Sequence, residues 1–141
     1  MRLGMRRFYC EHPLVLFAIF LVAVNDHILK QSGLAGVLTG KLSDFAGLFF
    51  FPFLLIDLAS LMHRRWQMSG SLFMGGAAFT GLGFVVLKCS LLALQIYQEI
   101  YAFFGIRVQV VQDLTDISAL LMLPLAIQIH RHLRGRLHVD E

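Results

Sequence analysis

The chain reads as an all-α integral membrane protein: a four-transmembrane-helix bundle built from two related helical hairpins, forming one membrane domain. Three observations carry that reading. Hydrophobic residues fill 57% of the 141 positions and charged residues 15%, where soluble domains carry about 25% charged residues. The apolar residues gather in four runs, set against the ~20 residues that cross a bilayer; the first and fourth are short and would extend by a turn. Lys and Arg gather between those runs on one side. A water-soluble fold this short has too little interior to hide so much apolar surface, so the lipid bilayer is the expected solvent.

The first span covers about 13–29. Arg2, Arg6 and Arg7 before it resemble the start of a secretory signal, but Val22-Ala23-Val24-Asn25-Asp26 is a poor cleavage site, and an uncleaved helix is expected. The second span covers about 45–62, the third about 72–96 and the fourth about 117–129. Apolar character runs on past the third span. Gln98 to Gly105 reads as an interfacial extension, and Tyr97, Tyr101, Phe103 and Phe104 fit an aromatic belt.

Orientation follows from the basic residues. Arg2, Arg6, Arg7, Arg64, Arg65, Arg131, Arg134 and Arg136 fall on one side, and Lys30, Lys41 and Arg107 on the other. This places the N- and C-termini in the cytoplasm, in a bacterial cytoplasmic (inner) membrane. The net charge of +3 is spread in short clusters without a basic stripe, so nucleic acid is not an expected partner.

An internal repeat is expected. Leu42-Ser43-Asp44 onward to Pro52 matches Leu114-Thr115-Asp116 onward to Pro124 at a constant offset of 72 residues. Ile28-Leu29-Lys30 and Val86-Leu87-Lys88 precede the two copies by different distances. The repeat units would be about 13–62 and 72–129, related by an axis along the membrane normal. Ser43 and Thr115 read as helix N-caps. Pro52 and Pro124 read as matched kinks, each freeing one backbone carbonyl.

Ionisable residues inside a span are costly and usually pair or function. The candidate intramembrane polar site is Lys30, Asp44, Lys88 and Asp116, placed at similar depth, with Asn25, Asp26 and His27 beside Lys30. Asp26 and Lys30 stand four apart on one helical face. Asp57 lies deeper in the second span, with Arg64 seven residues on as its expected ion-pair partner. Helix three carries small residues four apart, which allow close helix approach. It reads as the centre of the bundle or as a partner face through Gly75, Gly76, Ala77 and Gly81, for a second copy or another membrane protein.

Three functions compete. One binds or moves a small polar or ionic solute through the Lys/Asp layer in the outer half. A second is a structural or accessory subunit whose Lys/Asp pairs only hold the bundle together. A third is a membrane enzyme on a lipid-linked substrate, with Asp44 and Asp116 as a carboxylate pair. No catalytic residue, cofactor or metal is expected: His130 and His132 sit in a basic tail suited to anionic lipid, and no zinc spacing is present. Cys10 and Cys89 fall in different places along the topology, so no disulfide is expected.

Overall fold

The structure is a computed structural model that describes residues 8–29, 37–63, 65–66, 69–107 and 113–139. Nearly all of the described residues are helical, with no strand among them. Five α-helices follow in order: α1 Pro13–Val24, α2 Val37–Met62, α3 Gly70–Cys89, α4 Leu91–Phe103 and α5 Met122–Val139. A short 3₁₀ turn, Tyr9–Glu11, precedes α1; a π-helical turn, Asn25–Leu29, continues it; a 3₁₀ segment, Leu114–Leu121, leads into α5. Two helical stretches, Thr39–Met62 and Gly70–Cys89, are long and apolar enough to cross a membrane.

α2 is the hub, packing against α1, α3 and α5. This corrects the expectation that the third apolar helix is central. α3 touches α2 and α5 but turns Phe79, Leu82 and Val86 outward. The physical reason lies in α2's side chains: Phe49, Phe53 and Ile56 recur along one face and are buried. Phe53 stacks obliquely on Tyr9, Phe49 and Phe73, at centroid distances of 6.1, 5.7 and 5.0 Å. Aromatic pairs at such offsets are worth ~0.5–1.5 kcal/mol beyond their burial.

Several element boundaries differ from the sequence reading. α2 begins eight residues earlier than expected, because Val37 to Lys41 carry the helix on without a breaker stronger than Gly40. Ser43 is therefore inside the helix and is not its cap. The long third segment is two helices. Ser90 adopts an extended backbone, its amide closes α3 on Val86 O, and its hydroxyl accepts from Ala93 N to cap α4. α4 ends in a Schellman turn: Ile106 N bonds Tyr101 O at 2.9 Å, Gly105 N bonds Ala102 O at 2.9 Å, and Gly105 takes the positive φ of 77° that this turn requires.

The fourth segment also differs. Its first part is 3₁₀, and Asp113, not Thr115, is the cap, its carboxylate accepting from Thr115 N at 2.9 Å. Pro124 is the third residue of α5. The 3₁₀ segment runs directly into α5 there, so the N–H that Pro124 lacks falls where the helix type changes. Pro52 does lie inside α2 and is fully buried. The copies of the proposed repeat thus differ locally, α-helical around Asp44 and 3₁₀ around Asp116. α5 runs ten residues beyond the expected end, so the basic tail is helical to Val139.

The small residues of α3 divide between two faces. Ala77 is buried, Gly76 meets Leu55 at ordinary contact distance, and Gly81 lies against α5. A Cβ on Gly81 would stand 2.7 Å from Leu123 Cδ1, whereas Gly75 and Gly83 face open space. Of the expected partner face, Gly76, Ala77 and Gly81 are therefore spent inside the bundle, and Gly75 points out. Gly81→Ala sets that contact, with the movable end of the Leu123 side chain, against a helix-propensity gain of ~1 kcal/mol and is expected to be less stable than Gly83→Ala. Gly83→Ala is expected to be neutral or to stabilise by up to ~1 kcal/mol through helix propensity. Unfolding of the two variants in the same detergent checks the contrast.

Candidate functional site: a buried ionic layer

Lys88 is the nineteenth residue of α3, about 27 Å from its start at 1.5 Å per residue. Asp44 lies eighteen residues before the end of α2, again about 27 Å. α2 and α3 run antiparallel, so these matched lengths bring the two groups to one level. Asp116 joins them from the 3₁₀ segment.

Lys88 is the node. Its Nζ donates to Asp116 Oδ2 at 2.6 Å and lies 2.8 Å from Asp44 Oδ2. The second contact is ionic rather than a well-directed hydrogen bond. Nζ also sits over the Phe84 ring, 5.5 Å from its centroid, a favourable cation–π placement. Lys88 and Asp116 are nearly closed to solvent, with side chains 6% and 7% exposed, and Asp44 is 22% exposed. One ammonium thus carries a carboxylate from each side of the chain.

Lys41 completes the layer, and the sequence reading did not place it there. Its Nζ donates to Thr115 Oγ1 and lies 3.8 Å from Asp116 Oδ1 with a side chain 31% exposed. Lys41 and Asp44 stand three apart on α2, the spacing that shares a helical face, and this spacing was the signal available. Two lysines and two aspartates make the layer formally neutral.

The other expected residues fall as follows. Asn25 is fully buried at the end of α1, and its Nδ2 donates to Thr39 O at 2.6 Å, tying α1 to the start of α2. His27 is exposed on the π-helical turn. Lys30 and the side chain of Asp26 lie outside the described residues, as does Arg64. Asp57 is buried and holds the turn before α1: Tyr9 N donates to Oδ1 at 3.0 Å and Cys10 N to Oδ2 at 2.7 Å. Nothing in the sequence pattern pointed to that use of Asp57, because its partners are backbone amides 48 and 47 residues away.

Above Asp57, a second group of polar side chains closes the opposite end. Burial and the Asp57 charge push the Tyr9 hydroxyl up to about 12. The Cys10 thiol rises to about 12 by burial and its contact with Asp57, so it is a poor nucleophile. Cys10 and Cys89 are both free thiols. His130 stands one residue beyond the apolar stretch that ends at Ile129. It is 2% exposed and stacks flat on Phe73, with centroids 3.9 Å apart and planes at 6°. Burial, with the Arg134 charge, lowers its pKa to about 4.

No protein-family model, curated protein or solved structure matches the chain.

Lys88→Met leaves two carboxylates in the layer without their cation and is expected to cost about 3–5 kcal/mol, the usual result of removing one member of a buried ion pair. The triple variant Lys88→Met, Asp44→Asn, Asp116→Asn leaves only the Lys41 charge, on a side chain 31% exposed, and is expected to recover a large part of that loss. Chemical unfolding in micelles reads both. For His130 the folded-state pKa lies below the ordinary 6.5, so the unfolded chain binds the extra proton first. Its contribution is constant above pH 6.5 and is lost as pH falls from about 6.5 towards 4. The melting temperature is expected to drop between pH 7 and pH 5, and His130→Phe, which keeps the stack, is expected to reduce that drop.

Proposed function

We propose that the chain is a four-span membrane protein acting as a structural or accessory subunit of a membrane complex, with its Lys/Asp layer serving as the internal tie. The spans would be α1 with its π-helical turn, α2, α3, and the 3₁₀ segment continued into α5. α4 would rest at the outer interface. The positive-inside distribution of Arg and Lys supports cytoplasmic termini, with the ionic layer near the outer surface.

The single observation that carries this reading is the closure of the Lys88 node. A group that must take up and release a solute needs access, and Lys88 and Asp116 are almost fully enclosed by each other, Asp44 and Phe84. Buried charges in a span that are fully paired are the pattern of a bundle tie. The outward faces are broad and apolar: Phe17 and Phe20 on α1 and Phe79 and Leu82 on α3 are exposed. They suit lipid or a neighbouring helix. An enzyme built on Asp44 and Asp116 would need one of the pair to hold a proton. Here an ammonium between them supplies the neutralising charge.

A second reading, the binding or passage of a small cation or proton, draws on one specific feature. Three departures from α-helix surround the layer: the π-helical turn at Asn25–Leu29, the break at Ser90 and the 3₁₀ segment Leu114–Leu121. Such departures cluster at functional sites, and broken helices form ion sites in transporters.

Liposome flux separates the two readings. Under the structural reading, purified protein in liposomes gives no proton, Na⁺ or K⁺ flux above that of protein-free vesicles, and native electrophoresis of gently solubilised membranes shows it in an assembly larger than one copy. Flux that disappears in a folded Asp44→Asn/Asp116→Asn variant would reverse the order of the two.

A further inference from the structure

The end of the bundle opposite the ionic layer carries a cleft of about 230 Å³ between the start of α3 and the middle of α5. Phe73, Met74 and Ile127 form its apolar side, and Arg131 and Arg134 its charged side, with Gly70 and His130 between them. Arg131 and Arg134 stand three apart on α5, the spacing that brings side chains together. Among the described residues, no carboxylate forms an ion pair with either.

Two further features favour an anion. α3 begins at this cleft, so its first-turn N–H groups and the positive end of its dipole face the same region. Gly70 allows the close approach: a Cβ there would stand 2.5 Å from Arg134 Nη1, so the guanidinium rests against the helix start. His130, 2% exposed, forms part of the wall, and its Nε2 has no hydrogen-bond partner among the described residues. A buried polar atom without a partner is costly and marks where an additional polar group is missing.

We propose that this cleft binds the phosphate of an anionic phospholipid, with Arg131, Arg134 and the start of α3 around the phosphate and Phe73, Met74 and Ile127 along the acyl chain. The apolar side, with Met74 exposed at its edge, favours a lipid over free phosphate. So does the position of the cleft at the Arg-rich end of the bundle, where anionic headgroups of the cytoplasmic leaflet gather. The inference rests on the membrane placement proposed above. Protein released from membranes by an alkaline carbonate wash would overturn that placement, whereas the binding measurements below test the cleft.

The test is thermal unfolding of the full chain in a neutral maltoside, titrated with phosphatidylglycerol, phosphatidylcholine or glycerol 3-phosphate. Phosphatidylglycerol is expected to raise the melting temperature saturably, and phosphatidylcholine is expected not to. Arg131→Gln and Arg134→Gln are each expected to raise the half-saturating lipid concentration about fivefold. Gly70→Ala, which displaces the Arg134 guanidinium without touching the core, is expected to act in the same direction and serves if an arginine variant fails to fold. Arg107→Gln, at the far end, is expected to change nothing. An equal response to phosphatidylcholine, an unchanged half-saturation in both arginine variants, or an equal effect of Arg107→Gln would overturn the site. Glycerol 3-phosphate matching the lipid in potency would overturn the assignment to a lipid.

Discussion

The fold depends on a single ammonium group. Lys88 stands at the end of a helix of twenty residues, in surroundings that exclude water, and its charge is tolerable there only because Asp116 and Asp44 reach it at 2.6 and 2.8 Å. Each member of such a layer constrains the others. The lysine fixes the relative heights of α2 and α3, and Asp116 fixes the approach of the chain that enters α5. Faces that are apolar throughout do little to set the register of two packed helices. A buried ion pair supplies that register even where it adds little net stability.

The backbone around the layer is shaped by the same need. Polar backbone groups away from water must find partners. The break at Ser90 is closed by its amide on Val86 O and its hydroxyl on Ala93 N. Asn25 turns its amide onto Thr39 O. Asp113 accepts from Thr115 N at the start of the 3₁₀ segment. At the other end of the molecule Asp57 does the equivalent work, holding the amides of Tyr9 and Cys10 and bringing the Tyr9 ring against Phe53 and His130. The molecule is thus polar at its two ends and aromatic between them, with α2 running through both polar groups.

The two ends differ in what they leave unpaired. The ionic layer balances two cations with two carboxylates. At the Tyr9 end, Asp57 is taken up by backbone amides, and Arg131 and Arg134 have no described carboxylate. That imbalance, beside an apolar cleft, is what distinguishes a surface open to a ligand from one that is internally complete.

Much of this was legible in the sequence. Low charge and apolar runs indicated helices that avoid water, and the polar residues Asp44, Lys88 and Asp116 stood out because each interrupts an apolar stretch. Helix breaks were harder to read, because Ser90 and Asp113 redirect the chain through hydrogen bonds that leave no trace in hydropathy. The sequence by itself determined which groups must find partners, since a charge in an apolar segment carries its cost wherever the helices go. Only the tertiary structure decided the pairing: that Lys88 takes both aspartates, that Lys41 joins through Thr115, and that Asp57 holds backbone amides. Those choices depend on helix register and height, and these are set by contacts between segments far apart in the chain.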